Sequence, residues 1–152
     1  MKNFSKITLA LCLNFLLLNT FAQSKDEASI KSVIEEETDA WFARDAAKMK
    51  SYWAEVPQIT QCVSLLGDIV MFNTAESKKG KDPFARVGHE PQKVTVTRTD
   101  WNIRLVGNGA YVTYTEKDDV AGFKIHFYES RFMEKMDGTW KIVAVNAVAY
   151  KP

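Results

Sequence analysis

Apolar residues change their spacing along this chain, and the change divides it into helices followed by strands. After an almost wholly apolar stretch at residues 7–21, Ile30, Val33, Ile34, Trp41 and Phe42 recur at helical spacing. They predict one amphipathic helix ending near Arg44. Ser24 or Asp26 can cap its start, with acidic residues filling the first turn. Asp45 can cap a second, shorter helix over residues 46–53, with Ala47, Met49, Tyr52 and Trp53 as its apolar positions and Pro57 ending it. Residues 58–64 are β-like, Gly67-Asp68 reads as a turn, and residues 69–72 are its partner strand. Residues 73–92 mix Lys78, Lys79 and Lys81 with prolines and glycines. They predict a loop with a short helix near 82–87, the lysines forming a solvated face.

From Lys93 onward the alternation has period two. Val94 and Val96 have even parity, whereas Trp101, Ile103 and Leu105 have odd parity, so a bulge or bend is expected between Thr97 and Asp100. A turn at Asn108-Gly109 or Gly107-Asn108 places Trp101, Ile103 and Leu105 on one face with Ala110, Val112, Tyr114 and Glu116. Residues 123–150 read as one long hairpin about Asp137-Gly138, since a type I′ turn needs φ > 0 at both central positions. That register opposes Met133 to Ile142, Arg131 to Ala144 and Glu129 to Asn146. One face then carries Phe127, Met133, Ile142 and Val148, with Glu129, Arg131 and Asn146 as adjoining polar groups inside it. Polar groups set in an apolar face suggest a pocket wall. The opposite face carries Tyr128, Phe132, Val143, Val145, Ala147 and Ala149, too apolar for bare solvent, and predicts a twofold dimer.

Residues 1–22 combine Lys2 and Lys6, the apolar run, and Thr20-Phe21-Ala22, whose Thr20 and Ala22 are small residues at the −3 and −1 positions of a cleavage point. This is the pattern of a secretory signal peptide cut after Ala22 or Gln23, leaving a domain over residues 23–152 that is exported to the periplasm or the exterior. The run is shorter than the ~20 residues of a spanning helix, so no membrane contact is expected after cleavage. Removing Lys2 and Lys6 leaves 18 basic against 19 acidic residues. Such a near-neutral domain gives no reason to expect nucleic acid. Cys62 is then the one cysteine, which excludes an internal disulfide and reads as a small buried hydrophobe. Two helices followed by a mostly antiparallel sheet make an α+β plan.

Several motifs also carry a family resemblance: Trp41-Phe42-Ala43-Arg44-Asp45, Tyr52-Trp53-Ala54, residues 109–114, and Glu129-Ser130-Arg131 running into residues 134–142. In order and spacing the chain resembles the SnoaL-like branch of the nuclear transport factor 2-like superfamily, which includes ketosteroid isomerase-like domains. The resemblance implies a cone-shaped, cystatin-like fold: a curved, mostly antiparallel sheet wraps a long N-terminal helix and leaves a cavity at its open end. It also implies a homodimer. The scaffold hosts enzymes, binding modules and assembly domains, so it does not name a reaction.

The candidate chemistry lies on the inner face. Glu129 and Arg131, ~7 Å apart along one strand, could be a general base and an anion-orienting group, or a buried ion pair completed by Asn146. Tyr114 and Glu116 could act on a proton beside a carbonyl, or be a core aromatic and a strand-end acid. Asp100 sits at the expected bend as a further acid–base candidate. Trp41, Tyr52 and Trp53 could line an apolar site or simply pack, and Asp39 could reach its mouth. His89 and His126 are separated and lack a cysteine cluster, so no metal and no cofactor is expected. The expectation is a small-molecule-binding cavity, with an isomerase, dehydratase or hydrolase type of enzyme, or a ligand-free association module, as alternatives.

Overall fold

The computed structural model describes residues 4–56, 59–65, 68–72 and 90–150. The chain divides into two units, one ending at Ser32 and one beginning at Val33. Helix α1, Phe4–Phe42, begins in the first and ends in the second. Ser24 and Asp26 are therefore not helix boundaries. Residues 22–26 contain neither glycine nor proline to interrupt a helix already running from Phe4. Gln23 Nε2 instead donates to Glu27 Oε1 one turn on, at 3.1 Å.

The second unit holds the end of α1, helix α2 (Ala46–Ser51) and a six-stranded sheet. Asp45 caps α2 as expected, its side chain accepting the Lys48 amide at 2.9 Å. The helix stops at Ser51 because residues 52–54 are drawn alongside the last strand. Ile142 N donates to the Tyr52 carbonyl, and Ala54 N to the Ile142 carbonyl, each at 2.9 Å. Pro57 lies outside the described residues.

The strands are β1 (Thr60–Leu65), β2 (Asp68–Phe72), β3 (Val94–Val106), β4 (Gly109–Val120), β5 (Phe123–Met136) and β6 (Thr139–Tyr150). Their spatial order is β2-β1-β6-β5-β4-β3, with β1 parallel to β6 and every other neighbour antiparallel. Leu65 pairs with Asp68, so Asp68 is a strand residue and not part of a turn with Gly67. The helix expected near 82–87, with its neighbouring lysines and His89, lies outside the described residues.

Turn chemistry fixes the three long hairpins. Val106 pairs with Gly109, which selects Gly107-Asn108 over Asn108-Gly109 as the loop. Asp137 and Gly138 have φ of +49° and +80°, as a type I′ turn requires. Ala121-Gly122 joins β4 to β5 with φ of +53° and +88°. The parity switch in β3 is also present, as a register shift between Thr99 and Asn102 with Asp100 at φ +57°.

The β5–β6 register departs from expectation in one place, with large consequences. Met133 opposes Ile142, but the next pairs are Phe132 with Ala144, Arg131 with Val145 and Glu129 with Ala147. Val143 is the extra residue of a β-bulge, and beyond it the parity of β6 reverses. Val143, Val145 and Ala147 are therefore buried, while Asn146 and Val148 face outward. Asn146 is not beside Glu129 and Arg131, and Val148 is not part of the core. A two-residue turn sets pairing only as far as the first bulge, and a curved sheet needs bulges. Inside the curve Ile34, Val112, Tyr114, Met133, Trp140 and Ile142 are fully buried. Each such large apolar side chain contributes ~1.5–3 kcal/mol.

Candidate functional site

The inner face of β4, β5 and β6 meets residues 37–42 of α1 around a cavity of about 580 Å³. Its walls are largely apolar: Trp41, Phe42, Met49 and Trp53 from the helical side, and Val120, Ile125, Phe127, Val145 and Ala147 from the sheet. Four carboxylates line it, Glu37 from α1, Glu116 and Asp118 from β4, and Glu129 from β5. All four residues are more than nine-tenths buried.

Two of these carboxylates belong to a closed network. Arg131 Nη1 donates to Glu37 Oε2 at 2.7 Å, and Arg131 Nη2 and Nε reach Glu129 Oε2 at 3.1 and 3.2 Å. The Tyr114 hydroxyl donates to the same Glu129 oxygen and accepts from Arg131 Nε at 2.9 Å. Trp53 Nε1 occupies the other Glu37 oxygen at 3.1 Å. Burial works against the charge on Arg131, but Tyr114, Glu37 and Glu129 outweigh it and hold the guanidinium charged. Burial likewise holds the Tyr114 hydroxyl protonated, well above its ordinary range. The carboxylates and hydroxyl here spend their hydrogen bonds on one another, which makes this part of the wall a brace.

The other two are different. Arg98 on β3 lies directly opposite Glu116 in the ladder, with Nε 2.7 Å from Glu116 Oε2. The pair is close but not aligned as a hydrogen bond: Arg98 Nε and Nη2, Glu116 Oε2 and Asp118 Oδ1 are buried without a hydrogen-bond partner. Burial, then the charge of Glu129, push Glu116 up to about 8 against the opposing pull of Arg98. Burial, then the charge of Glu129, push Asp118 up to about 6 against Arg98 and a hydrogen bond with Glu116. Glu116 and Asp118 thus hold protons in a pH range where ordinary carboxylates do not, beside open space.

The sequence-predicted residues are partly reunited here. Glu129, Arg131, Glu116, Trp41 and Trp53 line the cavity. Tyr114 is fully buried behind it, stacked on Trp101 at 4.4 Å. Tyr52 is turned away, its hydroxyl donating to Glu36 Oε2 at 2.8 Å. Asn146 is exposed on the other face, with Nδ2 3.5 Å from Ser130 Oγ, and Glu37 takes the place it was expected to fill. Asp100 is exposed at the β3 bulge, accepting from Thr99 Oγ1 at 2.9 Å. Asp39 lines a separate, smaller groove with Glu35, Arg98 and Trp101. Cys62 is half-buried between the cavity-lining Gln61 and Val63, and alternation puts it on the other face.

Glu37, Arg98 and Asp118 were missed, although each carried a signal. Glu37 interrupts the apolar stripe between Ile34 and Trp41, Asp118 shares parity with Tyr114 and Glu116, and Arg98 shares parity with Val94 and Val96. Among the described residues no group of His, Cys, Asp or Glu has the arrangement of a metal site. No helix among them is long and apolar enough to cross a membrane.

Neither a protein-family model nor a curated protein matches the sequence. Solved structures do match. An NTF2-like family protein from Streptomyces avermitilis, proposed to be a dehydratase, superposes with a TM-score of 0.65 at 15% identity, over 86% of this chain and 99% of that one. A cystatin-like protein of unknown function from Nostoc punctiforme gives 0.61 at 12% identity, over 82% and 91%. The CaMKII hub of S. rosetta gives 0.57 at 18% identity, over 81% and 95%. With the helix, the curved sheet and the cavity in place, the chain has the nuclear transport factor 2-like, cystatin-like α+β fold.

Proposed function

We propose that this chain is a small-molecule-binding domain of the SnoaL-like type, exported after removal of residues 1–22. The observation that carries the binding reading is the cavity of about 580 Å³ with mainly apolar walls and two buried carboxyl oxygens at one side that make no hydrogen bond, one of them ion-paired with Arg98. Ligand pockets commonly enclose ~300–1,000 Å³ and pair apolar walls with a few polar groups. The reading is tested with the neutral fluorophore N-phenylnaphthylamine, whose emission rises on entering an apolar site. Wild-type protein is expected to bind it saturably, and Ala147→Trp, which fills the cavity from β6, to abolish the signal. Equal emission from both proteins sinks the reading.

An acid–base enzyme of isomerase, dehydratase or hydrolase type is the second reading, favoured by the raised Glu116 and Asp118. Glu129 and Tyr114 do not support it, since each is engaged in the Arg131 network. The test is deuterium exchange beside the carbonyl of β-tetralone in heavy water. Exchange lost in Glu116→Gln supports the reading, and exchange at the buffer rate rejects it.

The outer face supports a homodimer. Tyr111, Tyr128, Phe132 and Val148 are 52, 54, 41 and 50% exposed, and the ladder places Tyr111 beside Phe132 and Tyr128 beside Val148. Val143 and Val145 are not on this face, because the bulge turns both inward. The hub domain among the similar folds is consistent with association through this scaffold.

A further inference from the structure

Among the described residues the cavity's charges do not balance, and the imbalance bears on what it binds. Four buried carboxyl groups surround it, whereas the guanidiniums beside them are Arg131, shared between Glu37 and Glu129, and Arg98, against Glu116. If all four acids ionised, two negative charges would stay uncompensated in an apolar interior, which is costly. The other lining cation does not supply the difference: the Arg44 guanidinium lies over the Trp41 ring and donates to the carbonyls of Trp41 and Glu90. Glu35 and Asp39, in the groove on the other side of Arg98, add further negative charge. Neither β1 nor β6 offers a basic group, contributing Gln61, Val63, Val145 and Ala147. Burial answers this by favouring protons on the two acids, with Glu116 pushed up to about 8 and Asp118 to about 6.

We propose that the cavity takes an organic cation, an aromatic or aliphatic amine whose ammonium head meets Glu116 and Asp118 while its apolar body lies against Trp41, Phe42 and Trp53. This deepens the small-molecule reading and rests on it. Asp118 Oδ1, buried without a hydrogen-bond partner, is an acceptor set to receive an N–H donor, and Glu116 Oε2 is ion-paired with Arg98 but makes no hydrogen bond, so it too can accept one. The rings of the wall suit an apolar body and tolerate a nearby cation. Because Glu116 holds a proton in the empty cavity, the incoming cation replaces that proton. Glu116–COOH gives its proton to solvent and becomes the carboxylate that pairs with the ammonium, and no other bond changes.

The experiment compares naphthylmethylamine with its neutral counterpart naphthylmethanol by titration calorimetry at pH 6, 7 and 8, in two buffers of different ionisation enthalpy. The expected result is that the amine binds at least tenfold tighter than the alcohol at pH 8. Its affinity should fall up to about tenfold per pH unit below the Glu116 titration, with protons released on binding. Glu116→Gln, and independently Asp118→Asn should the first fail to fold, is expected to lose that preference and the proton release. Alcohol and amine binding equally, with no protons released, overturns the inference and leaves the small-molecule reading standing. Neither compound binding, with N-phenylnaphthylamine also indifferent to Ala147→Trp, overturns both.

Discussion

Two glutamates that share the inner face, Glu116 and Glu129, have opposite fates, and their partners decide it. Glu129 receives Arg131 and the Tyr114 hydroxyl, while Glu116 is ion-paired with a misaligned Arg98, neighbours Asp118 and faces the cavity. Arg131 consequently carries a large share of the interior's order. Arg131→Met is expected to destabilise the protein by about 3–5 kcal/mol, because Glu37 and Glu129 are then buried without a counter-charge. Adding Glu37→Gln and Glu129→Gln should recover much of that loss. Denaturant unfolding checks both, and a loss below 1 kcal/mol for the single variant would contradict the account. Arg131 beside Glu129 was legible from their i, i+2 spacing. Glu37 was not, because its contact spans 94 residues of sequence and depends on where α1 lies on the sheet.

At the scale of elements, hairpins follow their turn residues closely and their distal registers do not. Gly138 has φ +80° with open space around its missing Cβ, so Gly138→Ala costs backbone conformation alone. It should destabilise by about 0.5–1 kcal/mol. Ala121, at φ +53°, carries the converse strain. Ala121→Gly should stabilise by about 0.5 kcal/mol, the relief of left-handed strain exceeding the added chain entropy. Thermal melts of the two variants should shift in opposite directions, and a common direction would refute the argument. The bulge at Val143 was invisible because local turn chemistry says nothing of curvature. It alone separates Asn146 from the acids and moves Val143 and Val145 from the expected outer face into the interior.

For the whole molecule, the raised acids link stability to pH. Folding raises Glu116 from 4.5 to about 8 and Asp118 from 3.8 to about 6, so the folded state holds protons that the unfolded chain has released. Their contribution is complete below the unfolded values and is lost as pH rises through the folded ones. Stability should therefore decline from about pH 4 to 8, by up to about 1.4 kcal/mol per unit per proton. Glu116→Gln should flatten the segment from pH 6 to 8. Melting temperatures that rise over that segment in the wild type would refute the linkage. Association is read separately: light scattering should give twice the chain mass, and Tyr128→Lys with Phe132→Lys should halve it. An unchanged mass would exclude the outer face as the interface.

Taken by itself, the amino-acid order determined the element types, the turn at Asp137-Gly138, the change of parity in β3 and an inner face carrying Tyr114, Glu116, Glu129 and Arg131. These depend on local periodicity and on φ preferences, which residues near in sequence express without help. Only the tertiary structure decided which acids are braced and which stay open. That choice rests on the Val143 bulge, on Glu37 reaching Arg131 from α1, and on Arg98 facing Glu116 across the ladder. Burial and charge balance are properties of the assembled interior, where groups distant in sequence share one low-dielectric space.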